Sequence, residues 1–167
     1  MRILGVDPGL QITGYGVISV PDDILHGQEM ELVEAGVVRA ETRLGIAVRL
    51  RRIHDALSDV ISELKPNRLV IEKLYAHYKH PATAILMGHA RGVVCLLSGT
   101  HRLPLTSIAA THVKKSITGK GHAGKLQVQK MVQHTLRLKG IPEPSDAADA
   151  LAIAISYAFS LRGKRLV

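Results

Sequence analysis

Four acids stand at positions where acids are unusual. Asp7 closes one short apolar run, Glu72 closes another, and Asp146 and Asp149 open an alanine-rich stretch near the C-terminus. The i, i+3 spacing of Asp146 and Asp149 puts both carboxylates on one face of a helix, where they can share a ligand. Strand ends and a helix start can converge on one edge of a sheet, the edge where ligands bind in open α/β folds. Such a cluster suits phosphodiester hydrolysis, which needs a nucleophile made from water and neutralisation of a crowded phosphate. Two divalent ions about 3.5 to 4 Å apart supply both. Oxygen-only ligands select hard Mg²⁺ or Mn²⁺ over zinc. Without metal the four acids repel one another, so some of their pKa values rise and metal binding stabilises the fold.

Each acid, taken singly, also has an ordinary explanation. Asp7 before Pro8-Gly9 fits a turn, Glu72 an exposed strand end, and Asp146 and Asp149 partners of a helix dipole. Asp7 and Glu72 are harder to set aside, because each directly follows an apolar strand.

The elements that must position these acids follow from periodicity. Arg2 to Val6 is a short apolar strand ending in the turn signature Asp7-Pro8-Gly9, and Gly14 to Val20 is a second strand that completes a hairpin. Glu31 to Val38 is a third strand, giving an antiparallel start. Leu44, Ala47, Leu50, Ile53, Leu57, Val60, Ile61 and Leu64 recur at helical spacing until Pro66 stops the helix. Leu69 to Ile71 is the strand that delivers Glu72, followed by a polar, aromatic loop from Lys73 to His80. Ala82 to Ser98 is apolar nearly all round, which predicts burial on more than one face and, in a chain this small, a subunit interface. Leu103 to Ile108 reads as the last strand, Ala109 to Lys115 as a short helix, and Ser116 to Gly124 as a basic, glycine-containing loop. Lys125 to Leu138 is helical, and Ser145 is the expected N-cap of a final helix from Asp146 to Leu161. Three strands, a helix, a strand, a helix, a strand and then helices make an α/β layered fold, not a bundle or a sandwich.

Composition sets the outer limits. The 167 residues are expected to form one domain, and the net charge of +8 favours a polyanionic partner such as DNA, RNA or an anionic surface. The single cysteine, Cys95, rules out an intrachain disulfide and reads as a buried core thiol in a reducing cytoplasm. The N-terminus lacks the pattern of a signal peptide. The longest apolar run, Ala82 to Leu97, is interrupted by His89 and Arg91 and falls short of the roughly 20 residues of a bilayer span.

These motifs, in this order, resemble the RuvC family of Holliday-junction resolvases. The resemblance rests on Ile3-Leu4-Gly5-Val6-Asp7-Pro8-Gly9 with Thr13-Gly14-Tyr15-Gly16-Val17, then Val70-Ile71-Glu72, Ala90-Arg91-Gly92 and Asp146-Ala147-Ala148-Asp149-Ala150-Leu151-Ala152. It implies a ribonuclease-H-like mixed sheet flanked by helices, a homodimer, paired symmetric nicks across a four-way DNA junction, and a partnership with RuvA and RuvB. By position, Asp7, Glu72, Asp146 and Asp149 take the family's metal-binding catalytic roles, with two Mg²⁺ per site and Mn²⁺ as a substitute. Lys114 and Lys125 match the family's basic residues near the scissile phosphate. Tyr75 falls where the family carries an aromatic, usually Phe, that stacks on or wedges a base near the crossover; here the ring gains a hydroxyl. Lys73, Lys79 and Lys120, with His77 and His122, are further candidates for the DNA-facing surface. Two rivals stand beside this expectation. One is an ATPase of the actin and sugar-kinase type, whose first phosphate loop resembles the segment from Asp7 to Gly14 but which needs two lobes and a longer chain. The other is a noncatalytic architectural DNA-binding module, in which the basic charge matters and the acids do not.

Overall fold

The computed structural model describes residues 1–21, 29–74 and 81–165. Five strands form one sheet: β1 (Arg2–Asp7), β2 (Ile12–Ser19), β3 (Glu31–Arg39), β4 (Arg68–Glu72) and β5 (Leu105–Ile108). Their order is β3-β2-β1-β4-β5. β1, β2 and β3 pair antiparallel, whereas β4 joins β1 in parallel and β5 joins β4 in parallel. The expected antiparallel start is therefore one half of a mixed sheet. The helices α1 (Ile46–Leu64) and α2 (Pro81–Thr100) supply the crossovers of the parallel half. α3 (Ala110–Thr118), α4 (Lys125–Thr135) and α5 (Ser145–Arg165) follow.

Side-chain alternation along the strands sorts the core into two layers. Leu4 and Val6 of β1 and Leu69 and Ile71 of β4 pack with Ile53, Leu57 and Ile61 of α1 and with Ala90, Val94 and Leu97 of α2. Ile3 and Val70 point the other way and pack with Leu151, Ile155 and other residues of α5, backed by α3 and α4. α1 follows its predicted stripe from Ala47 onward, leaving Leu44 ahead of the helix, and it ends two residues before Pro66, with Lys65 in the left-handed conformation at φ 46°.

Burial separates two helices that look alike in sequence. α5, not α2, is the helix buried all round: Ala147, Ala148, Ala150, Leu151, Ala152, Ile153, Ala154 and Ile155 are all at most 1% exposed. Its alanines let the sheet on one side and α3 and α4 on the other approach closely. Its one fully buried hydroxyl, Ser156, shares a 2.8 Å hydrogen bond with the Ser116 hydroxyl of α3. Among its described side chains α2 buries only the stripe of Ala90, Val94 and Leu97, while Ile85, Leu86, Met87 and Leu96 are exposed. Cys95 shares that open side, which corrects its expected place in the core.

Two boundaries also differ from expectation. The segment expected to be a loop from Ser116 is helical as far as Thr118, where Gly119 at φ 76° ends α3. Ser116 and Thr118 stay in the helix by bonding their hydroxyls back to Val113 and Lys114 carbonyls. Ser145 lies inside α5, and its hydroxyl is 3.4 Å from the Asp146 carboxylate. Among the described residues no helix is long and apolar enough to cross a membrane.

Candidate active site

Strand parity decides where the first two acids point. Asp7 is two residues beyond Gly5 and four beyond Ile3, so it projects to the α5 face of the sheet. Glu72, two beyond Val70, projects to that same face. β1 and β4 are adjacent and parallel, with Gly5 opposite Val70 and Val6 opposite Ile71. The next position in each strand is an acid, so the two carboxylates leave the sheet side by side at the carboxyl ends of its central strands.

Three glycines bring the remaining acids to them. Gly5 pairs with Gly16 and Asp7 with Gly14 across β1 and β2, so these glycines share the α5 face. A Cβ built on Gly5 would lie 2.2 Å from the Ala150 carbonyl oxygen, and one on Gly14 would lie 2.0 Å from that of Asp146. On Gly16 it would strike the Leu151 side chain at 2.6 Å. α5 thus rests on bare backbone, with its first turn over the end of β1. Gly5, Gly14 and Gly16 thus set the distance between the hairpin that carries Asp7 and the helix.

Asp7, Glu72 and Asp149 line one cleft of about 280 Å³ with Lys114 of α3 and Lys125 of α4, floored by Val113, Val128 and Ile153. Asp146 does not line it but adds its field to Asp7. Burial, then the charges of Glu72, Asp149 and Asp146, push the Asp7 carboxyl from its ordinary 3.8 up to about 7, against a smaller opposing pull from Lys125. Glu72 is raised as well, by burial and by Asp149, with Lys114 pulling it down. The Lys125 ammonium donates a 2.8 Å hydrogen bond to Asp149, which raises its pKa. A lysine in the first turn of a helix opposes the helix dipole. α4 has no acid there to offset it, so Lys125 is placed for the acids and not for the helix.

The expected residues divide clearly. Asp7, Glu72, Asp149, Lys114 and Lys125 come together, and Lys73 stands exposed at the rim of an adjoining cavity. Lys120 is exposed on the turn between α3 and α4, and His122 is exposed near it. Tyr75, His77 and Lys79 lie outside the described residues. Arg91 was legible only as part of a motif, without a role. Its guanidinium donates to the Glu72 carbonyl and, at 2.7 Å, to the Ser107 hydroxyl, tying α2 to the ends of β4 and β5. An arginine inside an apolar helical run was the available signal, since such a charge needs partners.

The donor set fits a hard divalent cation. It is all oxygen, and burial, followed by repulsion among the acids, holds Asp7 and Glu72 above their ordinary values. Among the described residues no three side chains already form a closed cage.

The mixed five-stranded sheet flanked by helices is a ribonuclease-H-like fold, with Asp7 and Glu72 at the carboxyl ends of its central strands. The family model described as crossover junction endodeoxyribonuclease RuvC matches residues 3–157. The crossover junction endodeoxyribonuclease RuvC of Rhodopirellula baltica is 45% identical over 153 residues, covering 92% of this chain and 83% of that protein. Its counterpart from Pseudothermotoga lettingae is 42% identical, covering 92% and 91%. The structure of T. thermophilus RuvC in complex with Holliday junction substrate superposes with a TM-score of 0.89 at 31% identity, over 98% of this chain and 96% of that one. The chain belongs to the RuvC family of crossover junction endodeoxyribonucleases, which are metal-dependent DNA hydrolases. Membership removes both the ATPase and the architectural module as readings of the chain.

Proposed function

We propose that Asp7, Glu72, Asp146 and Asp149 are the catalytic acids of a resolvase that nicks four-way DNA junctions in symmetric pairs, leaving 5′-phosphate and 3′-hydroxyl ends, in recombination and repair. The observation that carries this is the convergence of Asp7, Glu72 and Asp149 with Lys114 and Lys125 in one cleft at the carboxyl ends of parallel strands. Asp7, Glu72 and the two helix acids would hold two Mg²⁺, with Mn²⁺ able to replace them. Bound divalent ions supply Lewis-acid polarisation of the phosphate and a lowered pKa for the attacking water. The chain's own cations do the rest. Lys125 holds Asp149 in place and, with Lys114, faces the charge that builds on the phosphate. Lys73 at the rim, and Tyr75, Lys79 and Lys120 beyond it, belong to the surface that positions the strand. The acids lie in a partly buried cleft, so a flexible or opened strand reaches them more readily than a closed duplex.

We also infer a single nuclease domain over 1–167, a cytoplasmic location, and a homodimer through α2. The exposed Ile85, Leu86 and Leu96 leave one side of that helix for a twofold contact. A partnership with RuvA and RuvB follows from the family. Sedimentation at low micromolar concentration is expected to give the dimer mass, and a stable monomer would sink this part.

The deciding experiment offers the protein a synthetic four-way junction with each arm labelled, and a linear duplex of the same sequences, with Mg²⁺ or with EDTA. Paired nicks in the junction alone, dependent on Mg²⁺, are the expected result. Junction binding without nicks under every metal tried would overturn it. Lys125→Ala is expected to slow single-turnover cleavage about 100-fold, the usual cost of losing one charge-stabilising donor. Junction affinity in Ca²⁺ is expected to change by less than about threefold, since Lys125 is one of many basic groups. A large loss of binding with normal cleavage at saturation would give Lys125 the opposite role.

A further inference from the structure

Arg39, Arg43, Arg49, Arg51 and Arg52 follow one another within a short stretch that holds no lysine, and Glu41 and Asp55 are the acids beside them. None of the five lines the acid cleft. Arginine is the residue whose planar fork of donors matches phosphate.

Topology sets these charges on the same edge of the sheet as the acids. Arg39 is two residues beyond Val37, which lies opposite Gly14, itself opposite Asp7. By strand parity the exposed Arg39 therefore leaves the sheet on the face that carries Asp7, two strands away from it. The chain then runs along the turn between β1 and β2, with the Ala40 amide donating at 2.9 Å to the Gln11 carbonyl. α1 begins beside that turn, because the Arg49 guanidinium donates at 2.9 Å to the Leu10 carbonyl. The arginines thus form a track from the end of β3, past the turn that follows Asp7, onto the first two turns of α1.

Helix stability does not account for this arrangement. A helix favours acids at its N-terminal end and bases at its C-terminal end. α1 has no acid in its first turn and no base in its last, with Arg49, Arg51 and Arg52 early and Asp59 and Glu63 late. The Arg51–Asp55 pair, at 3.6 Å, puts the base N-terminal to the acid, the weaker order at i, i+4. Arg43 is paired with Glu41, and Arg52 approaches the same carboxylate at 4.0 Å, so one acid serves two guanidiniums. The Arg43 and Arg51 side chains are 80% and 83% exposed, so these pairs are weak and phosphate can displace them.

We propose that this arginine track holds the sugar-phosphate backbone of a junction arm where the arm leaves the acid cleft. The proposal rests on the nuclease reading and adds a contact that grips DNA without touching the reacting phosphate. Two strand spacings separate β1 from β3, about 10 Å, which is about three nucleotides at roughly 3.4 Å each along a duplex strand. Contact therefore starts about three nucleotides from the cut and fixes backbone position without reading sequence.

The test measures junction binding in Ca²⁺ over a range of salt, and single-turnover cleavage in Mg²⁺, for the full-length wild type and for Arg39→Gln/Arg43→Gln/Arg51→Gln. The variant is expected to bind at least about tenfold more weakly at physiological salt, and to lower the slope of log Kd against log salt by about 2 to 3, the loss of three phosphate contacts. Its cleavage rate at saturating protein is expected to stay within about twofold of the wild type, since these arginines position DNA and do not meet the reacting phosphate. Lys65→Gln/Lys139→Gln removes two exposed charges from the end of α1 and from beyond α4, and is expected to change the slope by less than about 0.5. A second measurement steps a single uncharged methylphosphonate linkage outward from the cut. The wild type is expected to lose affinity when it reaches about the third nucleotide, and the arginine variant to be indifferent there. Unchanged affinity and slope in the arginine variant, equal losses per charge in the lysine variant, or identical methylphosphonate profiles would overturn the arm contact and leave the nuclease reading standing. Normal binding with slow cleavage at saturation would also overturn it, by placing the arginines in the chemistry. Absence of nicks by the wild type would instead sink the nuclease reading, while the binding comparison in Ca²⁺ still decides the track.

Discussion

Asp7→Asn is expected to lose at least about 1,000-fold in junction cleavage while making the metal-free protein more stable at neutral pH. The two effects have one origin. The folded protein holds the Asp7 carboxyl at about 7, because burial and the charges of Glu72, Asp149 and Asp146 resist its ionisation, whereas the unfolded chain ionises it near 3.8. Below 3.8 both states carry the proton and nothing is lost. Between 3.8 and about 7 the unfolded state ionises first, so stability falls as pH rises, and above about 7 the whole penalty is present. At about 1.4 kcal/mol per pH unit the penalty has a ceiling near 4 kcal/mol, and screening at the open mouth of the cleft brings it to roughly 2 kcal/mol. Asparagine keeps the shape and removes the charge. In EDTA, the wild type is therefore expected to unfold at progressively lower urea from pH 4.5 to pH 8, and Asp7→Asn to show a flatter profile. Mg²⁺ is expected to stabilise the wild type at pH 8 by mass action and the variant much less. Cleavage retained by Asp7→Asn, or identical pH profiles in EDTA, would refute the assignment.

Gly14→Ala is expected to cost about 3 kcal/mol of stability and at least tenfold in cleavage under conditions where the variant remains folded. The added methyl group would sit 2.0 Å from the Asp146 carbonyl oxygen and 2.5 Å from its carbon. Both atoms belong to the backbone, so no rotamer change relieves the clash and the start of α5 must retract. Asp146 and Asp149 ride on that turn and move away from Asp7 with it. Gly99→Ala in α2 serves as the comparison, since its Cβ would meet nothing within 4 Å. That change is expected to be neutral or to stabilise by up to about 1 kcal/mol, the usual gain on replacing a helical glycine. Equal urea midpoints for the two variants would show that α5 does not rest on the sheet as described.

Local pattern carried much of this molecule. The apolar runs that end in Asp7 and Glu72, the helical stripe from Ala47 to Leu64 and the i, i+3 pair at Asp146 and Asp149 all lie in short windows, and each formed the element its period demanded. The motifs named the family because they combine residues that are individually ordinary. Burial was less legible. Ala82 to Ser98 and the helix after Ser145 are both apolar, yet only the second is covered on all sides, by the sheet and by α3 and α4. Cys95 fell on the wrong side of that distinction. Hydropathy reports what a side chain tolerates, whereas coverage depends on which distant elements arrive, and those contacts span most of the chain.

By itself, then, the sequence determined the candidates: four acids and two lysines of types suited to metal-dependent hydrolysis, in an order that identifies a RuvC-family nuclease. Tertiary structure decided the geometry. It placed β4 beside β1 in parallel, so that equal parity sends Asp7 and Glu72 to one face, and it seated α5 on Gly5, Gly14 and Gly16, so that Asp149 reaches them. It also opened the cavity between Met87, Arg91 and the acids, which no single segment foreshadows. Periodicity gives each side chain a face of its own element. Only packing between elements far apart in the chain decides what that face meets.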